Sequence, residues 1–263
     1  ADKSAQLIAA MAADLAPARQ ETQPSPQTQP PQSSQSPKQP SEEYRRIPWI
    51  WRVAIAAGKR NDAAELRAIL DVSLPQADAP LRDWQAVVIG GGVVNGVSQA
   101  GAWPSARIAE LLSGNEPLSR RWNAALERAA AMADDAKIPT GTRYDALRMI
   151  PMAGWPRSAS HLKKYLAEGQ HAELQMGAVS GLSDVDSPDV APLLGGALGY
   201  LNATNRKLAI EALLRTESRM PALLDAIEQG RLKREQLADP HVAALRELKS
   251  AELRARAAKL LDR

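Results

Sequence analysis

A helical repeat of constant length governs the C-terminal half of this chain. Laying the segment that begins at Thr142 over those beginning at Glu173 and Thr204 brings positions into register every 31 residues. Leu147, Ala178 and Ala209 coincide, as do Ile150, Gly181 and Ala212. Leu162, Leu193 and Leu224 follow, then Tyr165, Gly196 and Ile227, while Pro156, Ser187 and Ser218 mark the turn inside each unit. A fixed period of this length, with two helix-sized segments per unit, predicts an all-α chain built as an α-solenoid of stacked antiparallel helix pairs.

Composition agrees with close helix packing and narrows the chemistry. Hydrophobic residues make up 44% of the 263 positions, enough for a core, and aromatics only 4%. The 33 basic and 30 acidic residues leave a net charge of +3, too balanced for the basic stripe that nucleic-acid binding needs. With no cysteine, the chain cannot form disulfides, Cys-type zinc sites or thioether haem attachments from its own residues. No apolar run approaches the ~20 residues that span a bilayer. The opening residues do not read as a signal peptide.

Three segments differ in character. Residues 1–16 read as one helix with Leu7, Ile8, Met11 and Leu15 on a face, expected to dock on the solenoid. Residues 17–43 are rich in Pro, Gln and Ser, and so poor in apolar side chains that a flexible linker is expected. Residues 44–263 form the solenoid. Pro48 is expected in a first helical turn, Leu81 to Gln99 as one long glycine-bearing helix, and Pro104 at a helix start. Thr142 and Thr204 are read as caps, replaced by Glu173 in the middle unit, with Ser187 capping and Pro188 opening its second helix. Gly230 is read as a helix terminator.

The groups that could carry chemistry each have a plainer reading. Gly90, Gly91 and Gly92 invite a nucleotide loop, but Asn95 stands where the third glycine of a dinucleotide fingerprint belongs. Small residues that let two helices approach closely explain the run better. Asp184, Asp186 and Asp189 lack the Gly and Glu positions of a calcium loop and suit the turn before a helix. His161, His171 and His241 are not at metal-ligand spacing and fit surface or capping roles. Asp134 and Asp135 are adjacent, so their side chains do not converge. The six Trp are expected mainly in core or inter-repeat packing. Arg143, Arg148, Arg206 and Arg215 recur on the first helices of the repeats, as a candidate ridge for an anion or an acidic partner, or as solvated ion pairs with Asp145 and Glu211.

Several phrases occur together: LRDWQAVVIGGGVVNG at 81–96, GTRYDALRMI at 141–150, ELQMGAVSGLSDVDSP at 173–188 and NRKLAIEALLRTESRMPALLDAIEQG at 205–230. On these the chain resembles the HEAT-like helical region of large exported bacterial proteins that join a sugar-dehydrogenase-like β-propeller, HEAT-like repeats and a c-type cytochrome domain. The resemblance covers most of residues 44–263 and includes no catalytic motif. It implies a periplasmic or otherwise exported scaffold whose partners are proteins or neighbouring domains of the same polypeptide, with no cofactor held by this chain. The sequence lacks C-x-x-C-H and any propeller, so no functional residue carries over.

Three functional expectations follow. A non-catalytic repeat module that scaffolds or binds protein comes first, because stacked helix pairs make extended surfaces without a reactive centre. A nucleic-acid-binding HEAT-like solenoid would need Lys and Arg aligned on the concave face. A helical carbohydrate-active enzyme would need two carboxyl groups about 5–10 Å apart across a cleft.

Overall fold

The computed structural model describes residues 3–13, 42–74, 82 and 84–262, and every regular element among them is a helix. Residues 17–41 of the expected linker, and Leu15, lie outside the described residues.

Helix α1 (Lys3–Ala12) packs on α2 (Glu42–Arg60) and α3 (Ala63–Ser73). Ile8 is fully buried in that contact. Ser4 Oγ donates to Glu65 Oε1 at 2.6 Å, and Arg60 closes the same carboxylate at 2.6 Å. Pro48 stands inside α2 rather than in its first turn. A proline there costs a backbone hydrogen bond. Burial of Ile50, Ala54 and Ala57, each at 0% exposure, opposes that cost.

The expected long helix at 81–99 divides into a π-helical stretch, Trp84–Ile89, and α4 (Gly90–Gln99). The glycines of α4 meet helices on two sides. A Cβ at Gly92 would lie 2.7 Å from Ala54 on α2, and one at Gly91 3.0 Å from the Asp145 backbone. The close-approach reading of this run therefore holds.

Then come α5 (Pro104–Leu112), α6 (Glu116–Asp134), α7 (Thr140–Met149), α8 (Trp155–Leu166), α9 (Ala172–Ser183), α10 (Val190–Ala197), α11 (Ala203–Leu214), α12 (Met220–Glu228), α13 (Asp239–Arg246) and α14 (Ala251–Leu261). Their packing forms two rows. One runs α2–α4–α7–α9–α11–α13; in the other α10 packs on α12 and α12 on α14. Helices α6 and α8 lie against α7 and α9.

The 31-residue register survives best in the first helix of each unit. Leu147, Ala178 and Ala209 are all at 0% exposure. It slips in the middle unit, where Leu194 is fully buried and Leu193 only partly. The reason is the turn before α10, which holds Asp184 and Val185 buried and delays the helix to Val190. Ser187 accordingly does not cap α10; Asp189 occupies that position.

The expected caps also move by about two residues. Thr142 is buried within α7, and His171, not Glu173, accepts from the Glu173 backbone at 3.3 Å to cap α9. Asn202, not Thr204, caps α11 by accepting from the Asn205 N–H at 2.9 Å. Asn202→Ala is therefore expected to cost about 1 kcal/mol, the usual worth of a cap. Thr204→Ala should stay within about 0.5 kcal/mol, as exposed substitutions do. Urea unfolding of both variants distinguishes the two assignments. Gly230, at φ 72°, ends α12 as expected.

Candidate functional site

Two recesses adjoin on the face made by α2, α4, α7, α9 and α11. The first encloses about 700 Å³ between Ile47, Pro48 and Trp51 of α2 and the starts of α7 and α9. The second, about 610 Å³, lies between the end of α4 and the ends of α7, α9 and α11. Tyr144 and Met176 line both, so the two form one continuous strip.

The second recess rests on a charged cluster. Asp184, fully buried in its side chain, pairs with Arg215 Nη1 at 2.6 Å and with Arg148 Nη2 at 3.0 Å. Ser98 Oγ of α4 donates to the same carboxylate at 2.6 Å. Arg215 also donates to the Ala102 carbonyl at 2.8 Å and lies 4.2 Å from the centre of the Trp103 ring. Arg219 lies 5.6 Å from the centre of the same ring and donates to the carbonyls of Ser183, Val185 and Ala212. Burial first, then the neighbouring Arg215, lowers the Arg219 pKa. The cluster thus ties α4, α7, the turn after α9, and the end of α11 to one carboxylate.

The first recess has a different electrostatic character. Trp51 Nε1 donates to Asp145 Oδ1 at 2.8 Å, and Asp145 is only 4% exposed. Burial pushes the Asp145 carboxyl well above its usual range, against the Trp51 hydrogen bond and Arg148; Glu173, which lines the same recess, pushes it further up. The folded protein therefore holds this proton at pH values where the unfolded chain, with a pKa of about 3.9, has lost it. That contribution to stability is complete below the unfolded value and is lost as pH rises through the folded one. Asn at 145 keeps an acceptor for Trp51 and cannot ionise. Asp145→Asn is expected to flatten the decline in stability above about pH 4 and to be more stable than the parent at the upper end of that window. Denaturant midpoints from pH 4 to 8 measure it; parallel profiles for the two proteins would refute the assignment.

The four arginines read from the sequence take different partners. Arg148 and Arg215 converge on Asp184. Arg143 donates to the Ala133 carbonyl at 2.9 Å and to the Tyr165 hydroxyl at 3.2 Å, finishing the end of α6. Arg206 donates to the carbonyls of Leu198 and Leu201 after α10. The expected carboxylate partners also differ: Asp145 bonds Trp51, and Glu211 lies 3.9 Å from Lys207.

The tryptophans divide similarly. Trp122 is core, at 3% exposure, whereas Trp49 is 59% exposed. Trp155 donates to Asp189 at 2.8 Å. The side chain of Trp84 lies outside the described residues. His161 faces Asp134 at 3.6 Å, and His241 is buried in the first turn of α13. Among the described residues no three or more His, Cys, Asp or Glu are placed to hold a metal ion, and no helix is long and apolar enough to cross a membrane.

Asp184, Ser98, Trp103 and Arg219 were not singled out together by sequence. One signal was present: Asp184 and Arg215 are separated by 31 positions, one repeat period.

No protein-family model matches the chain, and no curated protein or solved structure matches it.

Proposed function

We propose that this chain is a non-catalytic helical-repeat module, an α-solenoid of the HEAT-like kind, that scaffolds or binds protein. The observation that carries this reading is the continuous strip shared by the two recesses, to which α2, α7, α9 and α11 all contribute side chains. A surface assembled from successive helices suits an extended partner better than a compact substrate. The resemblance to repeat regions beside a β-propeller and a c-type cytochrome supports a place in an exported redox assembly, as a spacer between domains or partners.

Photo-crosslinking residues at Gln99 and Met176, with Ala255 of α14 as control, test the module reading in the native source. Covalent adducts to a protein segment at the first two positions and none at the third are expected. Equal adducts at all three, or none at any, would remove the reading; adducts to nucleic acid would favour the nucleic-acid alternative. Intact mass and haem staining of the native product test the assembly reading, which expects a haem-positive species.

A second reading draws on Asp145 and Glu173 lining the same recess as Trp51. That combination is what a helical carbohydrate-active enzyme would use. It expects glycoside turnover that Asp145→Asn and Glu173→Gln each abolish; no turnover in the parent protein ends it.

A further inference from the structure

The first recess carries acid without base. Asp145 and Glu173 line it, and among the described residues neither Lys nor Arg does. His171 at its edge accepts the Glu173 N–H at Nδ1, so that nitrogen holds no proton. Arg148, one turn along α7 from Asp145, is held by Asp184 at 3.0 Å and lines the other recess.

The two carboxyls are neighbours. Glu173 Oε1 stands 3.5 Å from where a Cβ at Gly141 would lie, so the side chain reaches from α9 to the first turn of α7. Gly141 and Asp145 are four positions apart on that helix, which sets their side-chain positions about 5–6 Å apart. Asp145 is 4% exposed, and the one hydrogen bond to its carboxyl among the described residues comes from Trp51, to Oδ1 at 2.8 Å. Its Oδ2 differs from that of Asp184, which is sealed from solvent without a partner; Asp145 Oδ2 is not sealed. A buried carboxyl with a free oxygen on a cavity is costly to ionise until a partner arrives.

The remaining walls are apolar, from Ile47, Pro48, Trp51 and Met176. At about 700 Å³ the recess has the size of a small-ligand site. Two carboxyls among apolar side chains supply too few oxygens for a bare calcium or magnesium ion. They suit a compact cation that carries its own apolar body.

We propose that the first recess binds a small organic cation, a primary ammonium on an apolar body, with the ammonium between Asp145 and Glu173 and the body against Pro48, Trp51 and Met176. This goes beyond the interaction-module reading and does not rest on it.

Titration calorimetry of the full chain with 3-phenylpropylammonium, 3-phenylpropanol and 3-phenylpropanoate tests it, since the three share a body and differ in head group. At pH 8 the ammonium should bind about tenfold or more tightly than either of the others, because charge-assisted contacts are the stronger ones. Asp145→Asn and Glu173→Gln should each remove most of that preference, and unchanged binding of the alcohol shows that the recess is intact. Glu211→Gln, at the second recess, should leave all three ligands unaffected. Nα-acetyl-lysine methylamide offers the ammonium of a partner's Lys without the aromatic body, and should bind about tenfold more weakly than 3-phenylpropylammonium.

Proton release is a second readout. Burial, and with it Glu173, keeps the Asp145 proton above the usual carboxyl range, against Trp51 and Arg148. An ammonium takes the place of that proton, which passes to the buffer, so affinity should rise from pH 5 to pH 8. Tyr144 also lines the recess, and burial raises its pKa out of this window. His171 borders the recess as well, and histidine titrates in this range. Release that persists in Asp145→Asn belongs to His171; the difference between the two proteins belongs to Asp145.

Equal binding of ammonium and alcohol would overturn the proposal, as would no binding of any ligand at millimolar concentration. So would survival of the preference in Asp145→Asn and Glu173→Gln, its loss in Glu211→Gln, or equal binding of the lysine amide. The same proton release in the parent and in Asp145→Asn would place the cation away from Asp145 and overturn it too. Absence of crosslinked adducts would remove the module reading and leave this inference standing.

Discussion

Asp184→Asn is expected to lower the unfolding free energy by about 3–5 kcal/mol, the usual cost of removing one partner from a buried ion pair. Asparagine keeps the shape and still accepts from Ser98, which bonds the carboxylate at 2.6 Å. What it removes is the charge that faces Arg215 at 2.6 Å and Arg148 at 3.0 Å. Those guanidiniums remain where the fold puts them, with side-chain exposures of 17% and 5%. At about 2–4 °C per kcal/mol for a chain of this size, the melting temperature should fall by roughly 10 °C. Raising salt should recover little, because buried pairs are weakly screened. The double variant Asp184→Asn with Arg148→Met should cost less than the sum of the single variants, since the second change removes one stranded charge. A loss within about 1 kcal/mol for Asp184→Asn, against the 3–5 expected of a buried pair, would mean the cluster does not hold these helices together.

The same cluster shows where sequence reading reaches its limit. Helical periodicity reports which side of a helix is buried, and it identified Leu147, Ala178 and Ala209, all at 0% exposure. It does not report which polar groups meet across helices. Ser98 and Asp184 are 86 positions apart, and nothing local to either predicts the contact. The three aspartates at 184, 186 and 189 suggested a turn or an ion site, yet their fates differ. Asp184 is buried, Asp186 is exposed, and Asp189 accepts from Trp155. Aligning the repeats for charge as well as for apolar residues would have placed Asp184 over Arg215, one period on. The arginines take different partners for a related reason. Arg143 and Arg206 recur because helix ends carry unsatisfied carbonyls, which both residues cap. The caps themselves were misplaced because Thr is a good cap in general, whereas Asn202 and His171 stand where the chain turns into the helix.

Gly96→Ala should cost about 3 kcal/mol, at the upper end of what overpacking usually does. Taken alone, alanine in a helix is favoured over glycine by nearly 1 kcal/mol, so the packing term must overcome that gain. It does so because the obstruction is backbone. A Cβ at position 96 would collide with the Ile55 carbonyl oxygen and lie 2.7 Å from Gly58 Cα and 2.8 Å from Lys59 N. None of these atoms can rotate away, so α2 and α4 would have to separate. Gly196 supplies the contrast, since a Cβ there meets nothing within 4 Å. Gly196→Ala is accordingly expected to stabilise by about 0.5–1 kcal/mol. The separation at Gly96 should also be felt at a distance. Trp51 lies on α2, the helix that Gly96 crosses, and bonds Asp145, and Gly92 of α4, whose own Cβ would come within 2.7 Å of Ala54, lies between the two points. Near-ultraviolet circular dichroism of the tryptophans should therefore change in Gly96→Ala and not in Gly196→Ala. Unfolding curves that placed the two variants together would contradict the close crossing of α2 and α4, and with it the position of Trp51 over the recess.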